Sequence, residues 1–199
     1  MGEDCKDIAP RVHIHFIRTV DEKLVRQACA LYASEFKGPN GIPLSLVRSH
    51  IESGKYQLHV GLLDSRFVAM ALIWTDTHNV FTHVDYLAVK RAFRRKGIGS
   101  NLLAHIIEHA PTDLQTVEVV PEDVPFYARY GFVPAPFTYL FPASKKQVLF
   151  TLMMRNGSGA PLSATNIEYV VKALYCDLHN KKRTNARLQS CLASIRKMS

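Results

Sequence analysis

Residues 84–110 constrain the fold more than any other part of this chain. Residues 84–89 are an apolar, strand-forming run, and Arg94-Arg95-Lys96-Gly97-Ile98-Gly99 is a basic loop holding two glycines. Ile98, Leu102, Leu103, Ile106 and Ala110 then recur at the spacing of a helix with one apolar face. A helix N-terminus presents backbone N–H groups without intrahelical partners and the positive end of the helix dipole. Glycines ahead of it let an anion approach those amides, and three cations add a positive field, so strand, loop and helix together describe a phosphate site. The spacing is not that of a dinucleotide fingerprint, which needs a third glycine, nor of a P-loop, which ends in Gly-Lys-Ser or Gly-Lys-Thr. Taken alone, the loop is also compatible with a tight strand-to-helix turn carrying a solvated basic face.

Around this unit, strands and helices alternate. Residues 12–17 read as a strand, and Thr19-Val20-Asp21-Glu22 as a capping box before a helix with Leu24, Val25, Ala28, Tyr32 and Phe36 on one face. Gly38-Pro39-Asn40-Gly41 breaks that helix, and a short second one is predicted over 44–53. Residues 57–63 and 67–74 are strand-forming runs joined by Asp64-Ser65-Arg66, a hairpin-length link that makes them antiparallel neighbours. Further strands are predicted over 116–120 and 147–154, with a short helix over 124–130 ended by Gly131. Residues 1–155 are expected to form the catalytic-looking domain and 156–199 an extension. The extension opens on the linker-like Asn156-Gly157-Ser158-Gly159-Ala160-Pro161 and continues with Thr165-Asn166-Ile167-Glu168 as a capping box for an amphipathic helix. A second helical stretch follows Lys181-Lys182-Arg183.

The longest apolar run ends at Trp74 and is far short of the ~20 residues of a membrane-spanning helix, so no membrane partner is expected. Met1 to Lys6 has no apolar segment, and Lys6 stands where a myristoylation signal needs Ser or Thr; no export or anchoring signal is expected. Cys5, Cys29, Cys176 and Cys191 lack paired spacing and read as reduced thiols of a cytoplasmic protein. His13 and His15 share a strand face without a third ligand, so no metal is implied. Of the formal charge of +8, residues 157–199 carry +5, from seven Lys and Arg against Glu168 and Asp177. Charge alone leaves nucleic acid, acidic protein and a phosphorylated cofactor all open as partners.

Two motifs narrow the choice. Residues 84–103 closely resemble the acetyl-CoA signature of the GNAT superfamily, Arg/Gln-x-x-Gly-x-Gly/Ala after a strand. Phe126-Tyr127-Ala128-Arg129-Tyr130-Gly131-Phe132, about thirty residues on, matches the Tyr-x-x-x-Gly-Phe turn that this family places beside the thioester. The element order agrees over residues 12–155, roughly three quarters of the chain. The resemblance implies an α/β (α+β) acyl-CoA N-acyltransferase fold with a mixed, mostly antiparallel sheet flanked by helices, here carrying a C-terminal helical extension. It implies acetyl-CoA as cosubstrate and no metal. The amides of Arg95, Lys96, Gly97, Ile98, Gly99 and Ser100 would then hold the pyrophosphate, with Arg94 beside them, and Leu87, Ala88 and Val89 would pair with the pantetheine arm.

Transfer to an amine needs a base, because an alkyl ammonium with a pKa of ~10 holds its proton at neutral pH. His83 has a suitable ordinary pKa, shares a strand face with Asp85, and occupies the position where the family often keeps a catalytic Glu or His. Asp85 reads equally as a structural acceptor or as a base. By its place in the second motif, Tyr127 resembles the general acid that protonates the leaving thiolate. Glu118 stands where some members keep a water-positioning carboxylate, but an exposed strand residue is the expectation.

The nearest likeness within the superfamily is to arylalkylamine N-acetyltransferases, with Asp85 replacing the second of their two histidines. A small-molecule amine is therefore the expected acceptor. Specificity is expected from residues 24–53 and from the aromatic loop 134–146, which either walls the amine pocket or packs on the first helix. A basic helix carrying Lys172, Lys181, Lys182, Arg183 and Arg187 either packs on the domain or on a second copy in a homodimer, or draws in a protein or RNA-bound acceptor. A non-catalytic interaction module is the third alternative.

Overall fold

The computed structural model describes residues 14–37, 41–142 and 150–198. Among the described residues, seven strands form one sheet in the order β1-β2-β3-β4-β5-β7-β6, antiparallel throughout except for the β4–β5 pair. The strands are β1 (Ile14–Thr19), β2 (Gln57–Leu63), β3 (Arg66–Thr75), β4 (Phe81–Val89), β5 (Leu114–Val119), β6 (Val133–Pro134) and β7 (Thr151–Asn156). The helices are α1 (Glu22–Glu35), α2 (Leu44–Glu52), α3 (Ile98–His109), α4 (Val124–Ala128), α5 (Ala164–Ala173) and α6 (Ala186–Arg196). The α/β character and the mixed, mostly antiparallel sheet expected from the sequence are both present.

Local chemistry sets most boundaries. Asp64 and Ser65 form the β2–β3 turn with φ of 47° and 63°, the positive values of a two-residue hairpin whose twist matches its strands. Two caps differ from expectation by two positions each. Asp21, not Thr19, caps α1, its carboxylate accepting from the Leu24 N–H at 2.9 Å, while the Thr19 hydroxyl accepts from the Asp21 N–H. Ser163, not Thr165, caps α5 by accepting from the Asn166 N–H. In each case the residue nearest the first free amides takes the role. The last long strand begins at Thr151, and residues 147–149 of the expected one lie outside the described residues, as does His13.

The sheet separates two apolar cores. On one face, Ile98, Leu102, Leu103 and Ile106 of α3 pack with Val84, Val117 and Met153. On the other, Val25, Ala28 and Tyr32 of α1 meet Leu58, Met70 and Leu72 of the sheet, and the same core continues into Val170, Val171 and Leu174, then Leu188 and Ile195. Fully burying side chains of this size stabilises by about 1.5–3 kcal/mol each before the entropy of ordering them is subtracted. The basic residues of the extension do not share a helix: Lys172 lies on α5, Lys181, Lys182 and Arg183 between helices, and Arg187 on α6. Lys172 and Arg196 both pair with Glu168, and Arg187 donates to the Phe141 carbonyl at 2.8 Å.

Two irregularities create the site. Leu72 pairs with Tyr86 and Ile73 with Val84, which leaves Asp85 as the extra residue of a bulge in β4. The parallel β4–β5 pairing runs only from Phe81↔Leu114 to Val84↔Val117. Beyond it a cavity of about 220 Å³ lies between the strands, lined by Leu87, Val117, Val119 and Tyr127 among others.

Candidate active site

Before the bulge, His83 is on the sheet face that carries Phe81 and α1; after it, Tyr86 and Ala88 are on that face, so the alternation has shifted by one. Asp85 sits at the shift. Its carboxylate accepts from the Tyr56 hydroxyl, and Tyr86 behind it is fixed edge-on to Tyr32 and Phe36 at centroid distances of 4.9 Å. On β5, Thr116 and Glu118 share the His83 face, because residues two apart on a strand point the same way.

His83 has no exposed surface. Its Nδ1 lies 2.8 Å from the Thr116 hydroxyl, while its Nε2, buried and without a hydrogen-bond partner, stands 3.9 Å from both Asp85 Oδ1 and Glu118 Oε2. Among the described residues these three form the group whose donor atoms come close enough to share a metal ion, all within 4.8 Å of one another. Glu118 is not the exposed residue expected from the strand pattern. Its side chain is 4% exposed, accepts from the Tyr139 hydroxyl, and lies 2.8 Å from Nε2 of His179. Coverage by the aromatic loop and the C-terminal segment is what buries it.

Burial pushes the Asp85 carboxyl up to about 6, with Glu118 adding to the rise and His179, Tyr56 and Lys55 opposing it. Burial likewise lowers His83 to about 4, so at neutral pH its imidazole is uncharged. Burial would raise Glu118, yet the His179 charge and hydrogen bond, with His83 and Tyr139, hold it below its ordinary value. His179 moves the other way: burial disfavours its charge, but Glu118 and Asp85 outweigh that and raise its pKa. Tyr127 is buried beside the 220 Å³ cavity, and burial first, then Asp123, keeps its hydroxyl protonated far above neutral pH.

The loop ahead of α3 has the conformation its glycines allow. Arg95 (φ 63°) and Gly97 (φ 76°) are left-handed, and Gly97 is the N-cap of α3. A Cβ on Gly99 would stand 3.4 Å from Val89 Cγ2 and 3.7 Å from Leu87 Cδ2, so the bare glycine is what leaves the space between helix and strand open. Lys96, Ile98 and Ser100 complete this turn, and Leu87, Ala88 and Val89 lie on β4 beyond its pairing with β5. Arg94 is otherwise engaged: its Nε donates to the Val89 carbonyl at 2.9 Å, and its guanidinium pairs with Glu35 of α1.

A second cavity, of about 350 Å³, opens on the α1–α2 side. Ile42, Leu46, Tyr56, Phe141 and Pro142 give it apolar walls, and Lys55, Asp85, Asp177 and His179 line it as well. The aromatic loop therefore does two things: Phe141 and Pro142 wall this cavity, while Tyr139 and Leu140 pack against the C-terminal helices, with Tyr175 donating to the Leu140 carbonyl. Sequence reading missed His179, which follows an amphipathic helix and has no motif spacing to mark it.

A sequence model of the acetyltransferase (GNAT) domain matches residues 32–139, more than half of the chain. No curated protein matches. Among solved structures, a putative GNAT-family acetyltransferase from Bacteroides thetaiotaomicron is similar, with 20% identity, a TM-score of 0.71, and coverage of 86% of this chain and 100% of that one. The NatC complex bound to Gag peptide and CoA is similar at 15% identity and a TM-score of 0.58, covering 72% and 98%. NAA60 from Arabidopsis thaliana, in complex with a bisubstrate analogue, is similar at 12% identity and a TM-score of 0.60, covering 74% and 100%. At these identities the structural likenesses speak for the fold, and the domain match speaks for the family. This chain belongs to the GNAT superfamily of acetyl-CoA-dependent N-acetyltransferases.

Proposed function

We propose that this enzyme acetylates the primary amine of a small molecule seated in the 350 Å³ cavity, with Asp85 as the base. The observation that carries the reading is that Asp85 and Tyr86 line both cavities. They stand where an amine on one side meets a thioester on the other.

Acetyl-CoA brings a carbonyl carbon activated by a sulfur leaving group. The residues of this chain supply the rest. The amides and glycines of the Arg94–Ser100 loop receive the phosphates, and Leu87, Ala88 and Val89 offer strand edge to the pantetheine arm. Asp85, with a pKa of about 6, is mostly ionised at pH 7, so it attracts an ammonium and can take one of its protons. His83, neutral and unexposed, faces this carboxylate from 3.9 Å and does not serve as first base, while the Tyr56 hydroxyl holds the carboxylate in place. The freed lone pair forms the C–N bond and the C–S bond breaks. Tyr127 gives its proton to the departing thiolate and recovers one from the new amide nitrogen. The net products are the acetamide, CoA thiol and one proton, left on Asp85.

A second reading, an acidic protein or RNA-linked amine, draws on Lys181 at the cavity wall and the exposed Lys182 and Arg183 beside it. Thiol release from acetyl-CoA across small arylalkyl and aliphatic amines, peptides and aminoacyl-tRNA separates the two. Turnover with the small amines supports the first reading. Turnover confined to peptides or RNA, falling steeply with salt, supports the second.

A further inference from the structure

Resting on this reading, we infer that His179, delivered by the C-terminal segment, is the outlet for the proton each turnover leaves in the site. The chemistry releases one proton per acetyl group moved and leaves it on Asp85, in the cavity that the acceptor and its product fill, next to His83, which is unexposed, and Glu118, which is nearly so. His179 is the most exposed of the four side chains, with Asp85 at 10%, Glu118 at 4% and His83 at 0%. Its side chain is 16% exposed, it lines the 350 Å³ cavity, and its Nε2 lies 2.8 Å from Glu118 Oε2.

The backbone is built to put it there. After α5 the chain widens into one π turn, Leu174–Leu178, closed by the His179 N–H donating to the Leu174 carbonyl at 2.9 Å. Such turns are rare and occur frequently at functional sites. Lys55, just ahead of β2, fixes the same turn by donating to the Asp177 carbonyl at 3.0 Å, and Phe141 meets the His179 ring edge-on at 5.2 Å. Three separate segments thus hold one imidazole against one buried carboxylate.

The titratable groups around His179 are Glu118 on β5, Asp85 and the neutral His83 on β4, Lys55 just ahead of β2, and Asp177 and Lys181 on its own segment. The two buried acids favour the imidazolium and Lys181 opposes it. The imidazolium therefore rests as partner to Glu118. It sheds a proton to water in the cavity; Asp85 then passes the proton of the turnover across His83 to the Glu118 carboxylate, and the neutral His179 ring takes it from there. His83 Nε2 is 3.9 Å from each carboxylate, beyond the ~2.7–3.2 Å of a hydrogen bond, so the transfer across His83 takes a small side-chain shift. Each transfer moves one proton and no electrons between partners.

His179 acts through Glu118 and is a positioning and relay residue, so its test needs more than a rate. NMR titration of the wild-type histidines should give His179 a pKa above the ordinary ~6.5, falling in Glu118→Gln. A value at or below the ordinary one overturns the inference without any turnover measurement. In steady state with the best amine, His179→Gln should lower kcat about tenfold or more. KM for acetyl-CoA should stay within about twofold, the kcat pH profile should change, and added imidazole should restore part of the rate to His179→Ala. Folded His179→Gln with unchanged kcat and pH profile overturns the inference. If the wild type acetylates nothing in the panel, the proposed function fails, and the titration alone decides the role of His179.

Discussion

Nε2 of His83 stands 3.9 Å from Asp85 Oδ1 with no hydrogen-bond partner of its own, while Nδ1 of the same ring is 2.8 Å from the Thr116 hydroxyl. One nitrogen is fixed and the other is left free, facing the carboxylate. Thr116→Val removes the fixed contact and strands a second buried nitrogen. That should cost about 1–3 kcal/mol of stability. A thermal or denaturant melt checks it, and an unchanged melt contradicts the assigned geometry.

Tyr127 has a hydroxyl held far above its ordinary pKa by burial, which keeps it a proton donor at all working pH values. Tyr127→Phe should lower kcat by about 10²-fold with KM for acetyl-CoA little changed, since the ring still fills its place. The loss should shrink with thioesters whose thiols are better leaving groups. Steady-state thiol release with such a series is the check.

Gly97, at φ 76°, caps α3 and has no atom within 4 Å of where a Cβ would be. Space is therefore not the obstacle to a side chain; the left-handed backbone is. Gly97→Ala should cost about 1–2 kcal/mol and, if the loop holds the phosphates as proposed, raise KM for acetyl-CoA several-fold. Isothermal titration with CoA distinguishes this from a general loss of fold.

Asp76 joins the extension to the sheet. Its carboxylate accepts from the Val80 and Phe81 N–H groups at 2.6 and 2.8 Å, and from the Tyr169 hydroxyl of α5 at 2.6 Å. Burial would raise its pKa, but these hydrogen bonds outweigh burial and hold it below 3.8. A depressed carboxylate stabilises the fold above its unfolded pKa, and that stability is lost as pH falls through the folded one. Asp76→Asn should therefore lower Tm at neutral pH and flatten the acid limb of the stability curve, as a pH series of melts would show.

The strand, glycine loop and helix of the proposed cofactor side were legible because they are local, all within residues 84–110, and the Asp64-Ser65 turn sits between its own strands. The acceptor side was not. Glu118 reads as an exposed strand residue until Tyr139 and His179, the latter 61 positions away, close over it. The bulge at Asp85 leaves no mark in an apolar run, yet it turns Asp85 and Tyr86 into a shared wall between two cavities. Residues 156–161 show linker composition and the helical pattern follows, but no periodicity reveals that Tyr169, Tyr175 and His179 each bond to a residue of 76–140.

The central claim is that Asp85 takes the proton of the acceptor amine. The pH dependence of kcat/KM for wild type and Asp85→Asn, with CoA binding measured in parallel, tests it most directly. The account predicts a wild-type rate that rises through an apparent pKa near 6. In the variant it predicts a loss of about 10²–10⁴-fold, no rise near that pH, and CoA affinity retained. An Asp85→Asn enzyme that keeps the wild-type rate and the same rise with pH would contradict it.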